Sequence, residues 1–326
     1  MTRLPRRAAL GALALPLARP AAAQGEWPTQ PVRLLIPFAP GGVPDIVARL
    51  IAPPMQGALG RPVLVENRPG AAGALAAETV ARSAPDGHTL FVTTMATHAV
   101  GPALHGAALR YDAERDFAPI ALLARVPLVL LVNPALDVRD VAGLVALLRR
   151  EPGRHAFGSS GVGAVLHLAG ELLKQQAGVE ATHVPYRGSV PALTDLAAGR
   201  ITYFFDALPP ALPFIRDGRV RALGVGSRTR AAAAPELPPL AEAGLPGFEA
   251  VTWAALYAPA GVPTPILARI HAETLRALRA PEVASRLAEL AYEVVGSTPA
   301  ELVTVQREER ERWAAVIGRA GIRPET

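Results

Sequence analysis

The residues most able to do chemistry in this sequence lie where a glycine-rich turn joins an apolar strand to a helix. The first such turn is PFAPGGVPDIV, in which Gly41 and Gly42 are followed by Pro44 and Asp45. Glycines let the chain turn sharply and let a ligand approach the backbone, and proline pre-sets the helical φ. A helix start also leaves N–H groups without intrahelical acceptors at the positive end of the helix dipole. This turn therefore predicts a site for a carboxylate or phosphate that needs no lysine or arginine.

A second turn of the same kind occurs in FGSSGVGAVLHL, where Ser159 and Ser160 precede Gly161 and Gly163. Two anion-binding helix starts in separate parts of one chain indicate two jaws that close on one solute. An ordinary tight strand-to-helix turn is the alternative for each of them, because such loops are short and often contain glycine. For Asp45, capping the helix and shaping a pocket remain open as alternatives.

Two enzyme classes compete with binding alone. A dinucleotide site would place an acid such as Glu66 after the second strand, but neither glycine turn has the G-x-G-x-x-G spacing. A serine hydrolase would combine a serine of the second turn with His167 or His183 and Asp206, but no G-x-S-x-G elbow is present. We therefore predict no catalytic residues.

Composition argues against several other partners. The chain has no cysteine, and its seven histidines show no H-x-x-x-H or comparable spacing, so neither a metal site nor another cofactor is expected. The formal charge of +5 includes four arginines within the first 23 residues, which leaves +1 on the rest. Aromatic residues make up only 5% of the chain, so the basic and aromatic surface that nucleic acid requires is missing.

Short β-branched runs alternate with amphipathic helical patterns along most of the chain. Strands are predicted at residues 32–38, 63–66, 89–93, 128–133, 155–157, 201–206 and 221–225. Helices are predicted at residues 71–83, 138–150, 164–177 and 190–198. This succession predicts a mostly parallel sheet with helices on both faces, which is an α/β fold. Pro53 and Pro54 predict a kink or a break in the first helix, which otherwise runs to Gly60.

The first 23 residues have the features of a secretory signal peptide. A charged start precedes about ten apolar residues from Ala8, and an A-x-A site follows at residues 21–23. The apolar run is too short to span a membrane and is interrupted by Pro16 and Pro20. We therefore predict export with cleavage near Ala23, by either the general secretory or the twin-arginine route.

Seven sequence blocks, spread over nearly the whole mature chain, resemble one known family in its order and spacing. They are PVRLLIPFAPGGVPDIVARL, GRPVLVENRPGAAG, APDGHTLFVTT, YDAERDFAPIALL, HVPYRGSVPALTDLAAGRITYFFD, LPPLAEAGLPGFEAVTW and APAGVPTPI. The family comprises the extracytoplasmic solute-binding receptors of tripartite tricarboxylate transporters, the Bug-type receptors. The resemblance implies a two-lobed clamshell similar to type II periplasmic binding proteins, each lobe being a mostly parallel sheet flanked by helices. It also implies chain crossings near residues 125–130 and 248–257, with residues 24–125 plus 250–326 in lobe 1 and 126–249 in lobe 2.

The resemblance implies which residues meet the solute, in agreement with the two helix starts. The expected ligand-binding residues are Phe38, Ala39, Pro40, Gly41, Gly42, Asp45, Thr93, Thr94, Ser159, Ser160, Gly161, Gly163, Tyr186, Arg187, Gly188 and Asp206. Arg187 could grip both oxygens of a carboxylate, and an ion pair at the lobe surface is the alternative. The chain departs from the family pattern at Pro44, Val162 and Ala164, where side chains with hydrogen-bonding groups are usual. The ligand is therefore expected to be less polar than a tricarboxylate, or to be held by fewer side-chain contacts.

Taken by resemblance, the chain is a periplasmic receptor that closes on a small carboxylate and presents it to the permease subunits of a tripartite tricarboxylate transporter. We expect a monomer that binds no metal, cofactor or nucleic acid. An exported α/β enzyme and an orphan receptor that feeds a signalling partner remain as alternatives. The sequence does not name the solute, because backbone donors recognise the carboxylate and leave the rest of the molecule to shape.

Overall fold

The computed structural model describes residues 27–324, so the signal peptide predicted at residues 1–23 lies outside the described part of the chain. The described residues form strands β1 (Val32–Ile36), β2 (Val63–Asn67), β3 (Thr89–Thr94), β4 (Phe117–Val132), β5 (Ala156–Ser159), β6 (Thr182–Pro185), β7 (Tyr203–Ala207), β8 (Arg221–Val225), β9 (Val251–Pro259) and β10 (Glu293–Val294). They form helices α1 (Val43–Leu59), α2 (Ala74–Ala81), α3 (Gly101–His105), α4 (Val141–Arg150), α5 (Val165–Ala177), α6 (Ser189–Ala197), α7 (Leu208–Arg216), α8 (Thr264–Arg279), α9 (Pro281–Glu289) and α10 (Pro299–Ala320). Single turns of 3₁₀ helix lie at Ala71–Gly73 and Gly106–Ala108, and a π-helical turn lies at Ala96–Val100. The predicted alternation of strands and helices is confirmed.

Strands β9 and β10 were not among the predicted strands, β6 was expected only as a strand that contains His183, and β4 begins at Phe117 instead of residue 128. The sequence of β9, VTWAALYAP, is buried at every position. It therefore lacks the apolar–polar alternation that marks a half-buried strand, and its alanines have low strand propensity. The first part of β4 is similarly rich in alanine, which explains why only its β-branched end was recognised.

The same unit, strand–helix–strand–helix–strand, occurs twice along the chain. In the first copy β1 lies between β2 and β3 and is parallel to both. In the second copy β5 lies between β6 and β7 and is again parallel to both. In each copy the first connection runs from the central strand to one edge, and the second returns past the central strand to its other side. At such a reversal of strand order, open α/β sheets usually bind ligands at the carboxyl ends of their strands.

Strands β4 and β9 join the two copies through antiparallel pairing. The first part of β4 pairs with β9 from Phe117 to Pro127. From Leu128 to Val132 the same strand pairs with β7 and β8 instead. Strand β9 also pairs with β3. Parallel pairing is thus confined to three strands in each half, and the long strand β4 belongs to both halves.

The hydrophobic core divides in the same way as the strand pairing. One buried cluster is built from residues 128–250 together with Ala291. The two other clusters draw on the chain before and after that segment, and Leu168 is their one member from within it. Trp253, whose place at the second crossing could have made it a wall of the cleft, is fully buried in one of these clusters.

Helix α1 runs without a break through both of its prolines, so of the predicted kink or break, the break is wrong. Each proline leaves a carbonyl without its usual partner, namely those of Arg49 and Leu50 four residues earlier. Pro53 and Arg49 are exposed, so water can satisfy this side of the helix. The opposite side of α1 is buried against the sheet through Val47, Ile51 and Met55, which stabilises the helix despite the prolines.

Across residues 27–324, no helix combines the length and the apolar character that crossing a membrane requires.

Candidate ligand-binding site

The predicted site residues divide into two groups by exposure. Those exposed or half-buried are Phe38, Ala39, Pro40, Gly41, Gly42, Ser160, Gly161, Tyr186, Arg187 and Gly188. Those buried are Asp45, Thr93, Thr94, Ser159, Gly163 and Asp206. The first group therefore lies on the loop surfaces that a solute can reach, whereas the second group lies beneath them.

Asp45 organises the loop between β1 and α1. Its side chain is buried and its Oδ2 accepts hydrogen bonds from the N–H of Gly41 at 2.8 Å and from Nε of Arg49 at 3.0 Å. Its Oδ1 accepts from Nδ2 of Asn67 at 2.9 Å. Burial would raise the pKa of Asp45, but the bonds from Arg49, Gly41 and Asn67 outweigh burial and hold that pKa below its ordinary value. Asp45 is thus an ionised residue that closes the turn from below.

Asn67 is a site residue that the sequence reasoning missed. It ends β2 in parallel register with Ile36 of β1, and its Nδ2 also donates to the carbonyl of Phe38 at 3.0 Å. The carboxyl ends of adjacent parallel strands lie at one edge of the sheet. The position of Asn67 in the sequence could therefore have identified it, because it is a polar residue at the end of the strand that follows the first glycine turn.

Thr93 and Thr94 were expected to face the cleft at the end of β3, and the structure buries both. The Oγ1 atoms of Thr93 and Thr97 lie 2.7 Å apart, which is a hydrogen-bond distance. The Oγ1 of Thr94 accepts from the N–H of Ala96 at 3.2 Å. Both hydroxyls therefore stabilise the π-helical turn that follows β3.

Gly73 brings the loop after β1 and the end of β3 together. Its φ of +94° is left-handed, and a Cβ at this position would lie 2.7 Å from Cγ2 of Thr97 and 3.0 Å from Cβ of Pro37. The ring of Phe38 is the next neighbour, at 3.6 Å. Only glycine allows this close approach, so Gly73 places Phe38 of the first loop beside the turn that follows β3.

Ser159 and His183 hold the loop between β5 and α5. The fully buried Oγ of Ser159 lies 2.6 Å from Nε2 of His183. The same Oγ accepts a hydrogen bond from the N–H of Gly161 at 3.1 Å. The Ser159 hydroxyl also donates a hydrogen bond to the carbonyl oxygen of Gly161 at 3.0 Å. Ser159 therefore stabilises its own loop instead of presenting its hydroxyl to a solute.

His167, in the first turn of α5, holds the other end of the same loop. Its Nδ1 accepts a hydrogen bond from the N–H of Gly163 at 3.1 Å. Burial, with smaller effects from His183 and Lys174, lowers the pKa of His167 to about 3. Burial, with a smaller effect from Lys174, lowers the pKa of His183 to about 4. Both rings are therefore neutral at physiological pH.

Tyr186 and Arg187 follow β6 and lie beside the second loop. The N–H of Tyr186 donates to the carbonyl of Ser159 at 2.9 Å. Its hydroxyl donates to Oδ2 of Asp195 at 3.0 Å, and burial together with this carboxylate raises the pKa of Tyr186 to about 12. Arg187 is exposed and forms no ion pair with any residue in the described part of the chain. The alternative role for Arg187, an ion pair at the lobe surface, therefore has no acidic partner within residues 27–324.

Asp206 ends β7 and is fully buried. Its Oδ1 accepts from Oγ of Ser189 at 2.6 Å and from the N–H of Ala207 at 2.8 Å. Its Oδ2 has no hydrogen-bond partner among residues 27–324. Burial raises the pKa of Asp206 to about 7, against the opposing effects of the bonds from Ser189 and Ala207.

These contacts do not form the catalytic triad considered from sequence. Ser159 and His183 are in contact, but the Asp206 carboxylate bonds Ser189 and Ala207 instead of a histidine. Ser159 is also fully buried, so a substrate cannot reach its hydroxyl. Within residues 27–324 no group of three or more His, Cys, Asp or Glu side chains is placed to hold a metal ion.

Several loop amides remain without acceptors. Among the described residues, no atom accepts from the N–H groups of Gly42 and Val43 at the start of α1, or from those of Ser160, Val162 and Val165 at the start of α5. A Cβ built on Gly41 or Gly161 would meet nothing within 4 Å, although φ is +87° and +135° at these residues. Both loops therefore border open space and carry donors that an anion could use.

The two halves meet beside the second loop. A Cβ on Gly163 would overlap the side chain of Leu104 in α3, which belongs to the first half of the chain. Helix α10 packs on α5 nearby, and Nε2 of Gln175 donates to the carbonyl of Val316 at 3.1 Å. The loop between β5 and α5 is thus placed against the first half by direct contact.

Replacing Asp45 tests its role as the anchor of the first loop. Asp45→Asn removes the charge to which Arg49, Gly41 and Asn67 donate, so it should lower the free energy of unfolding by about 1.5–3 kcal/mol at pH 7. Because the folded-state pKa of Asp45 is lowered, this loss should shrink as the pH falls below about 4. The measurement is urea unfolding at pH 7 and pH 3. Asp137→Asn, at a side chain that is 98% exposed, is the control and should change little. Equal effects of the two variants would contradict the role of Asp45.

Replacing Asp206 tests its buried carboxyl. The folded-state pKa of about 7 lies above the unfolded value, so its contribution to stability is present at low pH and is lost as the pH rises through 7. Asp206→Asn mimics the neutral form. Urea unfolding should show this as a difference between two free energies of unfolding, that of the variant minus that of the original chain. This difference should increase by about 2 kcal/mol between pH 5 and pH 8. A difference that does not vary with pH would show that this carboxyl does not titrate in that range.

Comparison with known proteins places the chain in a family. The model of the tripartite tricarboxylate transporter family receptor matches residues 47–322. BugT of Bordetella pertussis is 35% identical over 296 residues, which cover 90% of this chain and 90% of BugT.

Two solved structures share both the sequence pattern and the fold. R. palustris Rpa4515 with adipate is 37% identical, with a TM-score of 0.83, and the match covers 92% of this chain and 100% of that chain. MatC from Rhodopseudomonas palustris with bound malate is 37% identical, with a TM-score of 0.78, and the match covers 89% of this chain and 100% of that chain. The predicted α/β fold of two lobes and the resemblance to Bug-type receptors are confirmed. The chain belongs to the tripartite tricarboxylate transporter receptor family, a family of periplasmic solute-binding receptors.

Proposed function

We propose that this protein is a periplasmic receptor that binds a small carboxylate between its two lobes and delivers it to the permease of a tripartite tricarboxylate transporter. The observation that carries the proposal is the pair of loops at the starts of α1 and α5. Each loop follows the central strand of one half, borders open space and has amides without acceptors. Such amides bind a carboxylate without any metal or cofactor.

Arg187 adds a charged contact to the proposed site. It lies between Tyr186, whose amide bonds the second loop, and Gly188, which has a φ of +111° and nothing within 4 Å of a built Cβ. Its guanidinium is exposed and is not engaged with another described side chain. A planar guanidinium can bind both oxygens of one carboxylate, so Arg187 is the proposed side-chain anchor.

The ligands of the relatives narrow the class of solute. Rpa4515 is described with adipate and MatC with malate, and both ligands are dicarboxylates. A molecule with a carboxylate at each end of a short carbon chain could present one to each loop. We therefore propose a dicarboxylate as the solute class, with its middle recognised by shape.

The proposed closing motion is a hinge at the two strands that both halves share. Strand β4 changes its partners between Pro127 and Leu128. The N–H of Leu128 donates to the carbonyl of Ala250, and Gly226 bonds to both of these residues. We place the lobe boundaries there, with residues 24–125 plus 250–326 in lobe 1 and 126–249 in lobe 2. A ligand that contacts both lobes stabilises the closed form by its differential affinity for that form.

Export and partners follow from the same proposal. The signal peptide at residues 1–23 would direct the chain to the periplasm and be removed near Ala23. The mature receptor would act as a monomer without a cofactor, and its loaded form would dock on the permease subunits. Buried Ser159 and the separation of Asp206 from the histidines argue for binding over hydrolysis.

A carboxylate panel tests the proposed function. At a hundredfold excess over Kd a true ligand adds about 2.7 kcal/mol to the free energy of unfolding. For a chain of this size, thermal melting should shift upward by roughly 5–10 °C. Tryptophan fluorescence should be recorded as well, because two lobes can unfold in separate steps. Adipate and malate should shift the midpoint and uncharged diols of similar length should not. An absence of any shift across dicarboxylates, monocarboxylates and amino acids would refute the proposal.

Arg187→Gln tests the proposed anchor. The variant keeps much of the stem but removes the charge, so the Kd for a bound dicarboxylate should rise about tenfold in calorimetric titration. Arg216→Gln is the matched control, because Arg216 at the end of α7 is also exposed and also has no ion pair with another described residue. Equal Kd values for both variants would remove Arg187 from the site.

A further inference from the structure

Two imidazole rings stack beneath the loop between β5 and α5. The ring centroids of His167 and His183 lie 3.6 Å apart, with an angle of 8° between the planes. Phe157 packs against both rings, at 6.0 and 5.1 Å between centroids. The rings come from different elements, since His167 lies in α5 and His183 in β6. Together they join the helix, the strand and the loop above them.

Each ring holds a different end of the loop. The Nδ1 of His167 accepts from the N–H of Gly163 at 3.1 Å. The Nε2 of His183 bonds Oγ of Ser159 at 2.6 Å, and that Oγ in turn accepts from the N–H of Gly161 at 3.1 Å. The amides of Gly161 and Gly163 are thus directed inward. The amides of Ser160 and Val162, which alternate with them, have no acceptor in the described part of the chain.

Glycine would otherwise leave this loop loosely defined. The φ of Gly161 is +135° and that of Gly163 is +72°, both in the region that glycine adopts readily. Without fixed bonds, a loop with these residues would sample several orientations of its amides. An anion-binding loop requires its donors to be preorganised, because ordering them on binding reduces affinity.

The bond from Gly163 requires a neutral ring at His167, whereas Nε2 of His183 donates to Ser159, whose hydroxyl in turn donates to the carbonyl of Gly161. A ring nitrogen that accepts an N–H must keep its lone pair, so protonation at Nδ1 of His167 would break the bond from Gly163. Two charged rings at 3.6 Å would also repel each other. The charged groups near the pair are Glu171, 3.8 Å from Nε2 of His167, and Lys174, which bonds Glu171 at 2.9 Å. Because Glu171 and Lys174 form their own ion pair, neither supplies a net charge that would hold a proton on the rings.

We propose that the stacked pair of His167 and His183 is the positioning device of the second anion-binding loop: by holding the amides of Gly161 and Gly163 inward, it directs those of Ser160 and Val162 toward the solute. The expected effect on ligand binding rests on the proposed function. The expected effect on the order of the loop rests on the structure alone. Neither histidine touches the solute in this arrangement.

Paired substitutions separate positioning from packing. His167→Asn keeps an acceptor close to the place of Nδ1, and His167→Leu removes it. His183→Gln keeps a polar atom close to the place of Nε2, and His183→Leu removes it. The leucine variants should raise the Kd for adipate and malate about tenfold in calorimetric titration. The asparagine and glutamine variants should recover most of that loss, whereas a role in packing alone would not distinguish the members of each pair.

A second measurement needs no ligand. Amide hydrogen exchange should be faster at Gly161 in His183→Leu and at Gly163 in His167→Leu, by about tenfold relative to the unsubstituted chain, with the helices of the same half unchanged. Imidazole ¹⁵N shifts of the unsubstituted chain should show both rings neutral from pH 5.5 to 8, with Nδ1 of His167 unprotonated. The shifts decide the matter even if a leucine variant fails to fold.

The outcomes distinguish this inference from the proposed function. If the unsubstituted chain binds neither adipate nor malate, dicarboxylate binding is refuted, and the exchange rates and ring shifts still judge the positioning role. If the unsubstituted chain binds and the leucine variants bind equally well with unchanged exchange at Gly161 and Gly163, the positioning role is refuted. A doubly protonated His167 ring between pH 5.5 and 8 would also overturn it.

Discussion

Backbone N–H groups without acceptors, placed at the starts of two helices, are the constraint on which the rest of this structure depends. An amide that faces open space must be held in place by other bonds, because nothing on its own side fixes it. In the first half, Asp45 and Asn67 hold the loop from below. In the second half, Ser159 and the histidine pair do so. The central strand of each half ends in its loop, so the fold itself positions the amides of the proposed site.

The two halves solve the same problem with different chemistry. The first loop is held by an ionised carboxylate, whose charge is balanced by Arg49 at 3.0 Å. The second loop is held by neutral rings, and the nearby carboxyl of Asp206 is itself driven toward its neutral form by burial. In both halves the negative charge beneath the amides is therefore balanced or reduced. That is what binding an anion requires, because a buried like charge would oppose the ligand.

Much of the fold and part of the site could be predicted from the sequence. The glycine turns, the parallel strand–helix units and the family blocks are local features, and each one appears where it was expected. Strand β9 was missed because a strand buried on both faces has no alternation. The supporting partners were missed for a different reason. The contacts of Asn67, His167 and His183 depend on which strands and helices lie side by side. The order of these elements along the chain does not determine their order in space. Thr93 was predicted at the end of its strand and Ser159 in the loop that follows β5, but both side chains are buried, which only the register and packing decide.

The most direct test of the central claim is the change in backbone amide chemical shifts when a bound dicarboxylate is titrated into the ¹⁵N-labelled receptor. The account predicts large downfield shifts for Gly42 and Val43 in one lobe and for Ser160 and Val162 in the other, saturating together at one equivalent of ligand. Shifts confined to one loop, or a ligand that saturates the protein while leaving both sets of amides unchanged, would contradict it.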